Sequence, residues 1–299
     1  MIGVVDGILN IHKALHMTSH DVVAKVRRLL KQKRVGHTGT LDPEASGVLP
    51  ICVGQGTRVA EYLSESGKAY QAIITFGTVT DTYDAEGVVL RTGDTSQLTR
   101  EQIEAALPHF LGVQQQLPPR YSAIKIQGQP AYKLARAGEE ITLEPRTVEI
   151  QSLTILSWDN PHLTLAVECS KGTYIRSLAY DLGEYLGCGA YLTGLVRTRS
   201  GPFVLADSIT LEQLAEAQER GNLQQYLFPA DFALQNYPAL HLDEAQTQRV
   251  THGNAFSYPN AIDAEQASLA RVYTHTNQFL AIATWDPTTH QWKPKKVLL

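Results

Sequence analysis

Residues 34–50 read RVGHTGTLDPEASGVLP. Glycines at 36, 39 and 47, the hydroxyls of Thr38, Thr40 and Ser46, and Pro43 make this a structured loop running into a compact apolar strand, Val48–Val53. Asp42 stands directly before Pro43, and a proline restricts the backbone of the residue it follows. A loop built this tightly fixes one carboxylate. An isolated Asp-Pro pair is more often a plain turn former, so the weight given to Asp42 depends on the rest of the chain.

Upstream, Ile8–Ile11 reads as a short strand, and Thr18 or Ser19 can cap a helix whose Val22, Val23, Val26, Leu29 and Leu30 share one face. Downstream, Tyr70–Phe76 alternates until Gly77 breaks it, and Thr99 with Gln102 opens a helix running to Leu107. Tyr121–Ile126 reads as a strand and Tyr132–Ala137 as a short helix closed by Gly138. Residues 147–157 and 163–169 alternate as a strand pair, Tyr174–Leu186 is helical, and Tyr191–Arg199 is extended. Strands and helices mix without a strict βαβ period, which places the chain in the α+β class. Past Gln224–Asp231 the helical pattern dissolves into short strand-like pieces at Ala239–Leu242, Ser268–Tyr273, Phe279–Thr284 and Lys296–Leu299. The reading is a large domain over 1–236 and a small β domain over 237–299.

The chain has 299 residues, long enough for a sizeable core, and a net charge of −4 from 26 basic and 30 acidic residues. That balance argues against indiscriminate coating of nucleic acid. Its distribution says more. Residues 11–60 hold 8 basic against 3 acidic residues, whereas residues 61–110 hold 3 against 8. One basic stripe, centred on KVRRLLKQKR at 25–34, suits a polyanion engaged at a defined place, although such a stripe is more commonly just the solvated face of a helix. No stretch approaches the roughly 20 apolar residues of a membrane span, and the N-terminus lacks a secretory layout, so a cytoplasmic location is expected. Cys52, Cys169 and Cys188 show no paired spacing and read as buried free thiols; no cluster suggests zinc or another metal. Nothing points to a large exposed apolar face, so a monomer is expected.

HTGTLDP at 37–43 followed by SGVLP at 46–50 resembles the catalytic signature of the TruB family of pseudouridine synthases. KAY at 68–70, PPRYSAIK at 118–125, CSKGTYIRSLAYDLG at 169–183 and LGCGAYLTGLVR at 186–197 resemble its further motifs in order, and GILNIHK with TSHDVV resembles its N-terminal motif. One departure stands out. The family usually has Pro and Gly in the turn after the first lysine, whereas Lys13 here is followed by Ala14, Leu15 and His16.

The resemblance implies a pseudouridine synthase fold, with a central mixed, mainly antiparallel sheet flanked by helices, and a small C-terminal PUA-like β domain. It implies an isomerase that converts uridine 55 of the tRNA T arm to pseudouridine, with tRNA as the partner and neither DNA nor membrane involved. The glycosidic bond breaks, the uracil turns and rejoins through carbon, and nothing is oxidised or reduced, so no cofactor is expected. Asp42 is the implied catalytic group, either as a nucleophile or as a base removing a sugar proton. Arg176 of GTYIRS is its implied cationic partner and Tyr70 the aromatic platform for a flipped base. By the same resemblance His37 enters the space the base leaves, while Tyr174 and Leu195 line the uracil pocket. Lys13, Arg58 and the basic stripe are expected to meet substrate or phosphate, as are Lys293, Lys295 and Lys296 of the final segment.

Two other readings stay open. One is the catalytic subunit of a guide-RNA-dependent pseudouridine synthase, which activity of the isolated chain on a bare T-arm hairpin would separate. The other is an RNA-folding module whose turnover is incidental, which tRNA refolding by a catalytically dead variant would reveal.

Overall fold

The computed structural model describes residues 5–298 apart from 123, 127, 132–133, 135–136, 138–141 and 259–267. Strand β1 (Gly7–Lys13) leads through a turn to helix α1 (Ser19–Leu29). Thr18 caps that helix: its hydroxyl accepts from the Asp21 amide while the Asp21 carboxylate accepts from the Thr18 amide. Such a reciprocal cap stabilises a helix start by about 1 kcal/mol. Val22, Val23 and Val26 bury one face, and Arg27 and Arg28 occupy the last turn, where they favour the negative helix end.

β2 (Val35–His37) and β3 (Ala45–Val53) follow, with Asp42 in the loop between them. After α2 (Ala60–Glu65) come β4 (Lys68–Phe76) and a small hairpin of β5 (Thr78–Thr80) and β6 (Val89–Thr92). The capping box expected at Thr99 and Gln102 opens α3 (Arg100–Ala106), and β7 (Gly112–Gln116) forms an outer strand. The strand expected over Tyr121–Ile126 is confined to β8 (Lys125–Ile126), paired with β9 (Gln129–Pro130). The helix expected over Tyr132–Ala137, with Gly138, lies largely outside the described residues. β10 (Arg146–Asp159), β11 (His162–Cys169), α4 (Ile175–Tyr185), β12 (Ala190–Ser200) and β13 (Phe203–Val204) complete the middle of the chain. Helix α5 (Leu211–Arg220) ends at Gly221, whose φ of 72° gives the left-handed stop, and β14 (Leu227–Phe228) returns to pair with β1.

These strands form a ten-stranded sheet whose main path runs β14-β1-β3-β12-β4-β11-β10-β7. Only the β3–β12 pairing is parallel among these neighbours, so the sheet is mixed and mainly antiparallel as expected. β3 is buried along nearly its whole length, which explains its almost unbroken apolar run. Gly47 lets β12 approach: a Cβ there would lie 2.3 Å from the Arg197 carbonyl oxygen. β12 carries two bulges, between Leu192 and Gly194 and between Arg197 and Arg199. They bracket Leu195 and Arg197 and re-aim the strand where it meets Tyr70.

A second sheet takes the order β15 (Ala239–His241), β16 (Leu269–Tyr273), β17 (Phe279–Asp286), β18 (Gln291–Val297). A helix not foreseen from the sequence, α6 (Glu244–Thr251), packs on it through Val250; its short, weakly amphipathic pattern hides it. Ile282 and Leu298 join Ile8, Val48, Tyr62, Leu63 and Phe203 in one apolar cluster, so burial of a common core ties the two sheets together. All three cysteines are free and buried, and burial pushes the Cys52 thiol up to about 12, which keeps it protonated.

Candidate active site

The Asp42 loop is held from three directions. From the start of α1, the Ser19 hydroxyl donates to the Leu41 carbonyl and accepts from the Leu41 amide, at 3.2 and 2.9 Å. From the end of β1, the fully buried Lys13 ammonium donates to the carbonyls of Ala14, Met17 and Pro43 at 2.9, 2.7 and 3.2 Å. From β12, Arg197 donates to the Gly39 carbonyl at 3.1 Å and to the Val48 carbonyl at 2.7 Å. Burial pulls Lys13 down to about 8, opposed by the nearby Asp42 and Glu44 carboxylates. The departure in the preceding turn is absorbed locally. His16 takes a φ of 60°, its amide donates to the Pro43 carbonyl at 2.9 Å, and its Nδ1 lies 2.9 Å from Glu44.

The Asp42 carboxylate lies 3.1 Å from Nη2 of Arg176, across 134 residues of chain. Arg176 is 7% exposed and Asp42 is 46% exposed, so the cation is sunk in the protein and presents the carboxylate to the cleft. The same guanidinium meets a second carboxylate, Asp84, at 3.1 Å through Nη1, and donates to the Tyr121 carbonyl at 2.9 Å. Asp84 is held by further donors: its Oδ1 accepts from the Thr82 hydroxyl at 2.5 Å and from the Glu86 amide at 3.1 Å. One cation between two carboxylates leaves a residual negative charge. Asp42 has no other ion pair among the described residues and holds that charge at the cleft.

Beside this pair lies a cavity of about 370 Å³ whose walls include Asp42, Tyr70, Tyr174, Arg176, Leu195 and Arg197. Five of the six residues proposed for chemistry at the base therefore converge, with His37 the exception. Among its charged lining residues, Asp42 is the one acid, against Lys68, Arg146, Lys171, Arg176 and Arg197. That balance suits a polyanion whose reacting group must be met by one carboxylate. Tyr70 and Arg197 face each other across β4 and β12, and burial pushes the Tyr70 phenol up, so it stays a neutral hydroxyl. Tyr174 sits at the N-cap of α4, its amide donating to the Gln116 side chain at 2.7 Å and its carbonyl accepting from it at 3.0 Å. Leu195 pairs with Ala45 on one side and Ala72 on the other, placing an apolar group next to Asp42. A second opening of about 300 Å³ lies on the far side of Asp42, Arg176 and Leu195, and makes the site a cleft.

His37 ends β2 just outside the cavity wall, its Nδ1 accepting from the Gly39 amide at 3.3 Å and its ring edge-on to His20. Burial, reinforced by electrostatic repulsion from the His20 side and from Arg197, pulls its pKa down to about 4, so the imidazole is neutral at pH 7. Lys13 reaches the site only through the backbone it holds. Arg58 is placed elsewhere: its guanidinium donates to the Val297 carbonyl of β18. Two of the three C-terminal lysines are engaged within the protein, Lys293 with Asp286 at 2.5 Å and Lys296 with Glu61 at 2.9 Å, and Lys295 lies over the Tyr62 ring. Sequence reasoning missed Asp84, Lys68, Gln116 and Arg197. Lys68 and Arg197 lay inside quoted motifs, and the acid-rich turn TDTYDAEG at 80–87 was a usable signal for Asp84.

Comparison with known proteins agrees with this geometry. Residues 27–175 match the TruB family pseudouridylate synthase N-terminal domain, residues 176–235 the tRNA pseudouridylate synthase B C-terminal domain, and residues 238–297 the pseudouridine synthase II TruB C-terminal family. The chain is 46% identical to a tRNA pseudouridine synthase B of Pseudomonas putida, over 93% of this chain and 91% of that one. It is 51% identical to the protein of that name from Symbiobacterium thermophilum, over 84% and 83%. Among solved structures, a Cbf5-Nop10-Gar1 complex is similar with a TM-score of 0.75 and 26% identity, covering 98% of this chain and 85% of that one. An H/ACA RNP bound to a substrate RNA containing 2'-deoxyuridine shares the fold, with a TM-score of 0.73 at 24% identity and the same two coverages. Six ordered motifs, one carboxylate paired with a buried arginine beside an aromatic-lined cavity, and matches along nearly the whole chain make this protein a member of the TruB family of pseudouridine synthases.

Proposed function

We propose that this chain isomerises uridine 55 in the T arm of tRNA to pseudouridine, with Asp42 as the catalytic carboxylate and no cofactor. The observation that carries the reading is the Asp42–Arg176 pair at 3.1 Å opening onto a cavity walled by Tyr70 and Tyr174. A uridine in a folded arm must leave its stack to react, and the cavity offers it an aromatic floor and a single acid. Asp42 serves as nucleophile toward the sugar, with uracil as the leaving group, or toward the base, or as the base that removes a sugar proton; each route uses the same carboxylate. Leu195 keeps water from the reacting carbons, and the neutral His37 supports the distorted loop from outside the wall. Lys68, Arg146 and Lys171 supply the cationic lining for phosphates flanking the flipped nucleotide.

Identity of 44–51% to proteins named tRNA pseudouridine synthase B supports the stand-alone enzyme over a guide-RNA-dependent catalytic subunit. We infer further that the protein acts as a monomer in the cytoplasm, and that the C-terminal sheet touches tRNA away from the target. The direct test incubates the isolated chain with an unmodified T-arm hairpin and assays for pseudouridine. Product from the hairpin alone, lost in Asp42→Asn, is expected. Undiminished product from that variant would end the claim for Asp42.

A further inference from the structure

The loop that carries Asp84 grips α4 at two successive turns, and only one grip is electrostatic. Asp84 pairs with Arg176 in the first turn of the helix. Tyr83, its neighbour, lays its ring on Tyr180, one turn further along the same helix, with centroids 4.0 Å apart and planes 17° from parallel. Both rings are half-buried. Residues four apart on a helix share a face, so the loop engages Arg176 and Tyr180 together.

The backbone beneath Tyr83 is held in an unusual state. Its φ is 63°, a left-handed conformation that a residue with a side chain rarely adopts. The conformation is over-determined by its surroundings. The Tyr83 carbonyl accepts from the Leu192 amide of β12 at 3.0 Å, the Thr80 hydroxyl donates to the Asp84 carbonyl at 2.7 Å, and the Asp84 backbone bridges to Leu192. An outlier that the fold maintains next to a reacting group indicates a task for it. The left-handed turn points the Tyr83 ring at α4 and the Asp84 carboxylate at Arg176 in the same step. Arg176 then has its other terminal nitrogen, Nη2, shared between the Tyr121 carbonyl and Asp42.

We propose that the Tyr83–Tyr180 stack is a positioning device for the reaction: it locks the 80–86 loop onto α4, so that Asp84 holds the Arg176 guanidinium in register with Asp42. The inference rests on the functional reading above and adds two positioning residues to it. Neither ring lines the cavity or the opening beside it, so neither is placed to touch the reacting nucleotide. Their loss therefore lowers the rate of the chemical step and leaves tRNA affinity alone.

The test uses full-length Tyr83→Gly, Tyr83→Leu, Tyr83→Phe and Tyr180→Leu proteins. Single-turnover pseudouridine formation and tRNA binding are measured separately, with thermal melting to confirm the fold. Gly and Leu at 83, and Leu at 180, are expected to slow the chemical step about tenfold while affinity stays within about twofold. Tyr83→Phe keeps the ring and recovers most of the rate. Tyr83→Gly relieves the left-handed backbone, so its melting point holds or rises while its rate falls, which a merely structural role does not produce. In an Asp84→Asn background the further loss from Tyr83→Leu shrinks, because both changes release the same guanidinium. Unchanged rates, full additivity with Asp84→Asn, or a Phe variant as slow as Leu would each overturn the proposal. A crystal structure of Tyr83→Gly tests the geometry independently of turnover: Arg176 still within 3.1 Å of both carboxylates would overturn it as well. Wild-type protein that makes no pseudouridine would instead refute the functional reading, while that crystal structure would still decide whether the stack positions Arg176.

Discussion

The two loops that reach Arg176 are built in opposite ways. In the 38–44 loop the backbone is pinned, by Ser19, by the buried Lys13 and by Arg197, while the Asp42 side chain has a single ionic partner and remains 46% exposed. In the 80–86 loop it is the side chain that is pinned: Asp84 takes a hydroxyl, an amide and the guanidinium, and is 19% exposed. A carboxylate that must react needs a fixed origin and an unoccupied oxygen. One that must hold another group needs further donors to fix its own orientation. The contrast favours Asp42 over Asp84 as the candidate reacting acid without any appeal to sequence similarity.

The comparison can be broken most directly at its reactive end. Asp42→Asn is expected to cut single-turnover rate by at least about 10⁴-fold while changing stability by less than about 1 kcal/mol, since it removes only a half-exposed contact. A large fall in melting temperature would mean that Asp42 is structural after all. Arg176→Lys comes next. An ammonium is a point charge without the planar fork that spans Asp42 and Asp84, so a rate loss of about 10²-fold is expected with the charge retained. Near-normal turnover would show that charge alone suffices. Lys13→Met tests the pinning of the first loop: three buried carbonyls lose their donor, at a cost of about 2–4 kcal/mol in denaturant unfolding. Loss of activity in proportion to loss of fold would place Lys13 in the scaffold rather than at the substrate.

The smallest effect concerns His37. Its folded pKa of about 4 lies below the ordinary 6.5, so protonation favours the unfolded chain. Its contribution to stability is full above about pH 6.5 and is lost as the pH falls toward 4. Unfolding midpoints measured across that window should rise with pH, and His37→Gln should flatten the rise. An identical slope in the variant would assign the dependence to other groups.

Local pattern made much of the molecule legible. Thr18 with Asp21 and Thr99 with Gln102 are capping boxes readable over four residues, and the apolar run of β3 follows from burial on both faces of one strand. Family likeness in HTGTLDP and GTYIRS pointed to Asp42 and Arg176. Asp84 escaped because nothing within its turn says that it meets a helix 92 residues later. Arg197 and Lys68 escaped for a related reason: a cation in a strand looks like a solvated residue until the sheet closes over it, as it does here, leaving them 1% and 7% exposed. Arg58 and Lys296 went the other way. Their charge suggested phosphate, and packing of the second sheet turned them toward Val297 and Glu61.

By itself, then, the amino-acid order determined the α+β class, the helix starts, the apolar strands and the candidate for the reactive carboxylate, since each is written in residues close together along the chain. Only the tertiary structure decided which cations face that carboxylate, which acid shares its arginine and which lysines are occupied within the protein. Those outcomes depend on groups dozens to well over a hundred residues apart being desolvated together, and the energy of a buried charge is set by what surrounds it in space.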